Sequence, residues 1–195
     1  MHPTDPSREL SHRLQGLNIY LVGMMASGKS SVGPALASAL GYRFIDADAV
    51  LEKAAGYTIP ELFQRDGEQG FRALERQVLQ QIASWHSLVV ATGGGVVSQP
   101  ANWGEMHQGV VVWLNVAAAE LRRRLQADPG QRPLLAGAEG EQRLGQLLEQ
   151  RKPLYAQADL EIEASAATPQ QLAQQIIEAL PSRLKVRSAP PATAP

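Results

Sequence analysis

The chain has 195 residues, 44 % of them hydrophobic and 19 % charged, with a formal net charge of −1 and no cysteine. That length fits one domain with a real core, and the near-neutral charge argues against nucleic acid or a membrane surface as partner, leaving a small ligand. The missing cysteines remove disulfides, thiolate zinc sites and thiol nucleophiles and are compatible with a reducing compartment. No apolar run is long enough to span a bilayer, the N-terminal segment lacks the apolar core of a secretory signal, and Asp5 and Glu9 count against a transit peptide, so the expected location is the cytoplasm.

Residues 1–17 are polar and hold Pro3 and Pro6; they read as a flexible extension with some helical character from Arg8 to Leu14. The apolar run Ile19 to Val22 predicts a first strand, and Ser31 to Leu40 has helical spacing with Gly41 as its stop. Arg43 to Asp46 is the second strand. Thr58-Ile59-Pro60-Glu61 has the spacing of a capping box, opening a short helix to Gln64. A second helix is predicted over Gln69 to Ser84, where Phe71, Leu74, Val78, Leu79 and Ile82 share one face. Leu88 to Ala91 and Val110 to Leu114 are too short for independent helices and read as buried parallel strands. Ala117 to Gln126 is helical, with Arg122, Arg123 and Arg124 forming a basic surface. Residues 127–140 are rich in Gly, Pro and Ala and read as a mobile loop. Glu141 to Ala158 is helical with a kink or end near Pro153; Leu160 to Ile162 is a short strand; Thr168-Pro169-Gln170-Gln171 caps a last helix to about Leu180. The proline-rich tail over 181–195 is expected to be disordered. Strands alternating with helices imply an α/β fold with a parallel sheet covered on both faces and its ligands at the carboxyl ends of the strands.

The chemistry starts at Gly23-Met24-Met25-Ala26-Ser27-Gly28-Lys29-Ser30, directly behind the first strand and ahead of a helix. Glycines permit a tight turn whose N–H groups and helix N-terminus hold a polyphosphate. Lys29 then reaches the β and γ phosphates, and the Ser30 hydroxyl can ligate Mg²⁺. Asp46-Ala47-Asp48 ends the second strand beside this loop. One carboxylate can serve Mg²⁺ and the other orient an acceptor hydroxyl and take its proton, although acidic residues also simply suit a helix start. Arg72 and Glu75 are spaced to pair on one helix, where glutamate can fix a guanidinium that grips a carboxylate; solvated surface pairs share that spacing. Gly93-Gly94-Gly95 follows the third strand, either to bring backbone amides against a ligand or to make a sharp turn. Arg132 lies in the mobile loop, from which it could swing over phosphates. Arg151 is a further anion contact or an ordinary arginine near a helix end. The four histidines are scattered and form no metal cluster.

In this order the GMMASGKSS loop, Asp46-Ala-Asp48, Phe71-Arg72-x-x-Glu75, Gly93 to Gly95, Arg132-Pro-Leu-Leu and Arg151-x-Pro-Leu-Tyr155 resemble the shikimate kinase family over about residues 17–180. The resemblance implies a three-layer P-loop kinase fold with a five-stranded parallel sheet and a lid at about 127–140, in a kinase domain spanning 18–180. It implies ATP-dependent phosphorylation of the 3-hydroxyl of shikimate, in the route to chorismate and the aromatic amino acids, by a monomer. Lys29, Asp48 and Arg132 would be catalytic. ATP would lie on Met25, Ala26, Ser27, Gly28, Lys29, Ser30 and Ser31, with Arg124 beside the adenine and Arg132 on the phosphates. Shikimate would be held by Asp48, Arg72, Glu75, Gly93, Gly94, Gly95 and Arg151, and Mg²⁺ by Ser30 and Asp46. Some relatives carry an arginine in the adenine loop, where this chain has Ala164-Ser165-Ala166-Ala167, so packing and backbone contacts would hold the base. A related gluconate or nucleoside-monophosphate kinase and a non-catalytic nucleotide module are the alternatives. Asp66-Gly67 lacks the aromatic-Pro-Arg continuation of nucleoside-monophosphate kinases, and no Asn-Lys-x-Asp motif of a GTPase is present.

Overall fold

A computed structural model describes residues 6–127 and 140–184. Five strands, β1 (Ile19–Val22), β2 (Arg43–Asp46), β3 (Leu88–Ala91), β4 (Val110–Asn115) and β5 (Leu160–Glu163), form one sheet in the order β2-β3-β1-β4-β5. All four pairings are parallel. Each central strand is buried along its length, which is why β1, β3 and β4 read as apolar runs; the edge strand β5 alternates buried and exposed. Parallel strands need crossovers, and among the described residues eight helices supply and flank them: α1 (Pro6–Leu14), α2 (Lys29–Leu40), α3 (Ala47–Ala55), α4 (Ile59–Ala83), α5 (Pro100–Met106), α6 (Ala118–Ala127), α7 (Gly140–Tyr155) and α8 (Pro169–Ala179). Among the described residues no helix is long and apolar enough to cross a membrane.

The helix ends follow from the local sequence. Gly41 closes α2 in the left-handed conformation, and both predicted capping boxes form, Thr58 with Glu61 and Thr168 with Gln171. The two helices expected on either side of Gly67 are present: α4 breaks where Gly67 takes the non-helical φ 67° and ψ −177°, and the two segments run on from one another across that kink. Helix α5 was not anticipated, whereas α3 begins at Asp46-Ala47-Asp48, where a helix start was one of the two readings. Asp46 starts α3 by accepting from the N–H groups of Asp48 and Ala49.

The expected flexible extension at 1–17 is, in its described part, a docked helix. Leu10 and Leu14 of α1 are fully buried, the Ser11 hydroxyl donates to Leu40 O at 3.1 Å, and Arg13 donates to Pro181 O at 2.8 Å. Composition hid this because two leucines four residues apart are enough to seat one short helix. Of the tail expected to be disordered over 181–195, the described part is ordered, with a 3-10 turn over Leu180–Ser182 and Leu184 packed against the core; residues from 185 onward, the lid segment 128–139 and Arg132 lie outside the described residues.

Strand pairing puts the carboxyl ends of β1, β2 and β3 side by side, with Asp46 opposite Ala91. Gly33 on α2 allows this approach, because the Phe44 ring of β2 occupies the space a Cβ would need. The second strand thereby ends directly against the first turn of α2.

Candidate active site

The turn from β1 into α2 is held by backbone geometry that few residues tolerate. Gly23 has φ 146° and Gly28 φ 97°, and a Cβ on Gly23 would lie 2.7 Å from Leu114 O. Ala26 also adopts a positive φ, 61°, a local strain of the kind that collects at functional sites. Lys29 is buried and its ammonium donates to Gly23 O and Met24 O, both at 2.9 Å. The lysine thus sits over the mouth of the loop. Ser30 Oγ donates to Asp46 Oδ2 at 2.6 Å, while Asp46 Oδ1 caps α3. Both readings of Asp46 therefore hold together: one carboxylate oxygen starts a helix, and the other meets the α2 hydroxyl.

Asp48 stands in the first turn of α3, facing the glycine triplet. A Cβ on Gly93 would lie 2.9 Å from both Asp48 Oδ1 and Glu75 Oε1, so only glycine lets the two carboxylates approach this backbone. Burial pushes the Asp48 carboxyl up to about 6; Lys29 pulls it down, and Asp46, Glu75 and Glu52 push it up. Glu75 is buried and also raised, by burial first, against the lowering influence of Arg72 and Arg151. Its Oε2 accepts from Arg72 Nη1 at 2.8 Å, while its Oε1 has no hydrogen-bond partner among the described residues. A buried, unpaired acceptor beside a clamped guanidinium is the arrangement expected of a polar ligand pocket.

These groups line one cleft of about 400 Å³ that includes Met25, Ala26, Lys29, Ser30, Asp46, Asp48, Arg72, Glu75, Gly93 to Gly95 and Arg151. The sequence left the Arg72–Glu75 pair and the glycine triplet open between a ligand site and ordinary structure; both lie in the cleft wall. Arg151 is buried on α7 and donates to Gly94 O at 3.2 Å. Arg124 does not join a basic surface with the exposed Arg122 and Arg123. Its guanidinium turns inward, donating to Ala26 O and Ser27 O of the phosphate loop and to Ala164 O and Ser165 O of the β5–α8 loop, with Glu120 on its Nε. An arginine from α6 thus reaches the loop in which the sequence lacks one. Gly28 and Ser31 belong to the same loop and first turn of α2, with Ser31 N donating to Gly28 O.

Sequence reasoning missed the apolar wall. Ile59, Pro60, Phe63 and Phe71 line the same cleft, and the Phe63 and Phe71 rings stack at 4.5 Å. The i, i+4 spacing of Ile59 and Phe63 was visible but reads equally as core. Tyr155 was also missed as a contact: its hydroxyl donates to Gly94 O at 2.6 Å.

The family model described as shikimate kinase matches residues 25–181. A shikimate kinase of Synechococcus sp. (strain RCC307) is 65 % identical over 195 residues, covering all of both chains, and one of Thermosynechococcus vestitus is 51 % identical over 91 % of this chain and 97 % of its own. The structure of shikimate kinase from Acinetobacter baumannii in complex with shikimate superposes with a TM-score of 0.84 at 39 % identity, covering 91 % of this chain and 99 % of that one. A gluconokinase from Sinorhizobium meliloti 1021, at 21 % identity and a TM-score of 0.54, shares the fold alone.

Proposed function

The chain belongs to the shikimate kinase family, and from that premise we propose how its own residues divide the work. The reaction is transfer of the γ-phosphoryl group of ATP to the 3-hydroxyl of shikimate, giving shikimate 3-phosphate and ADP. The observation that carries the residue assignment is the single cleft in which a phosphate-binding turn faces Asp48, Arg72 and the glycine triplet.

In this reading the N–H groups of residues 25–31 and the positive end of α2 hold the ATP phosphates, and Lys29 exchanges its carbonyl partners for phosphate oxygens as charge builds there. Asp48 accepts a hydrogen bond from the reacting hydroxyl, aims it in line with the γ-phosphorus and takes its proton as transfer proceeds. A loose transition state asks little of the base early on, so orientation is the larger part of its role. Arg72, locked by Glu75, offers two parallel N–H donors to the carboxylate of shikimate, and Arg151 adds a second cation. The apolar wall of Ile59, Phe63 and Phe71 covers the ring carbons and excludes water. Arg124 ties the phosphate loop to the loop beside the adenine, and Arg132, outside the described residues, is assigned to the phosphates.

Mg²⁺ is assigned to Ser30 and Asp46. Their adjacent hydroxyl and carboxylate oxygens suit a hard cation that keeps much of its water and takes few protein ligands; when bound it neutralises phosphate charge.

Asp48→Asn is expected to leave ATP affinity unchanged and to lower shikimate turnover by about a hundredfold or more. ADP release coupled to NADH oxidation, with shikimate, gluconate and AMP run in parallel, measures both the acceptor and the loss. Near-normal turnover in the variant removes Asp48 from its role as orienting group and base.

A further inference from the structure

We infer that Tyr155 is a positioning residue for the acceptor half of the site, holding the glycine triplet in the orientation that receives shikimate. This deepens the proposed function and rests on its placement of the acceptor against Gly93 to Gly95 and Arg151.

Three consecutive glycines bring a backbone close to a ligand, but they also leave it free to rotate. Something outside the triplet must therefore fix its peptide planes. The Gly94 carbonyl is where α7 grips it. Tyr155 Oη donates to Gly94 O at 2.6 Å, and Arg151 Nη1 donates to the same oxygen at 3.2 Å. Two donors one helical turn apart thus saturate one carbonyl. Because the peptide is planar and trans, a fixed Gly94 C=O fixes the Gly95 N–H in the opposite direction. The amides of Gly94 and Gly95 donate to no acceptor among the described residues, and both glycines line the cleft. The same plane sets Gly95 Cα against the Arg72 guanidinium.

The phenol is built for this task. Its ring is buried and stacks on Trp113 of β4 at 5.8 Å between centroids, and its oxygen also meets Met24 Sδ at 3.7 Å. Burial pushes its pKa up to about 12, so it remains a neutral donor across the working pH range. By sharing the carbonyl it also steadies Arg151, whose Nη1 otherwise has Met24 Sδ at 3.9 Å.

Tyr155→Phe removes the donor and keeps the ring and its Trp113 stack. The expected result is a three- to tenfold rise in the shikimate KM, about the worth of one hydrogen bond, with the ATP KM unchanged and the thermal midpoint within a few degrees of wild type. Arg151→Lys is run beside it. An unchanged shikimate KM in Tyr155→Phe, whatever its thermal midpoint, or an equal rise in both KM values, overturns the inference when Arg151→Lys raises the shikimate KM. If Arg151→Lys also leaves the shikimate KM at wild type, the acceptor placement itself fails. Should Tyr155→Phe not fold, Trp113→Phe, which loosens the ring but keeps the hydroxyl, must raise the shikimate KM selectively or the inference falls.

Discussion

Replacing Gly95 with alanine should damage substrate binding without harming the fold. A Cβ built on Gly95 lies 2.7 Å from Arg72 Nη1 and 2.9 Å from Cζ, and closer still to Nη2. Carbon contacts settle at about 3.5–4.0 Å, so the guanidinium must retreat by roughly 1 Å. It has little freedom to do so: Glu75 holds Nη1 at 2.8 Å, Glu68 lies 3.6 Å from Nη2, and the Arg72 side chain is 12 % exposed. A displacement of this size at a substrate-positioning group costs about a hundredfold. The kcat/KM for shikimate is therefore expected to fall about 30- to 100-fold, chiefly through KM, while the KM for ATP stays put. Backbone strain does not confuse the result, because Gly95 has φ −100° and ψ −1°, which alanine adopts. Loss of chain freedom in the unfolded state can even raise stability by about 0.4–1 kcal/mol. Steady-state kinetics with each substrate varied, together with a thermal melt, separates the effects. A wild-type shikimate KM in a folded Gly95→Ala protein would refute the contact between Arg72 and the triplet as the source of acceptor affinity.

The raised Asp48 carboxyl predicts that stability and activity move in opposite directions with pH. With a native pKa of about 6 against an ordinary 3.8, the folded state binds the extra proton between those values, so unfolding free energy falls as pH rises through that window. Relative to Asp48→Asn, the nucleotide- and metal-free protein should lose up to about 3 kcal/mol between about pH 4 and pH 7, read from urea melts; parallel curves for the two proteins would contradict it. Activity needs the ionised form and should rise over the same interval. Leu14→Ala should lower stability by about 2–5 kcal/mol, as loss of a fully buried leucine does, with kcat unchanged. Equal melts of Leu14→Ala and wild type would show that α1 adds nothing to the folded state.

Local chemistry made most elements legible in advance. The buried strands announce themselves as short apolar runs, the two capping boxes by residues three apart, and the phosphate loop by glycines where only glycine fits. Each of those signals is contained within a few neighbouring residues, so no knowledge of the rest of the chain is needed to read it. Spacing alone also nominated Asp46, Asp48, Arg72, Glu75 and the triplet, but left their alternatives open.

Tertiary structure decided what those residues meet. Asp46 caps a helix and touches Ser30 because β2 packs against Gly33, and Glu75 keeps one oxygen without a partner among the described residues because Arg72 takes the other. The inward turn of Arg124 spans 98 residues to Ala26, and the Tyr155 clamp spans 61 residues to Gly94. Pairings over such separations depend on the sheet order that brings β1, β3 and the end of α7 together. Periodicity carries no record of that order, because the same helical face that buries a tyrosine in a core also brings its hydroxyl to a carbonyl.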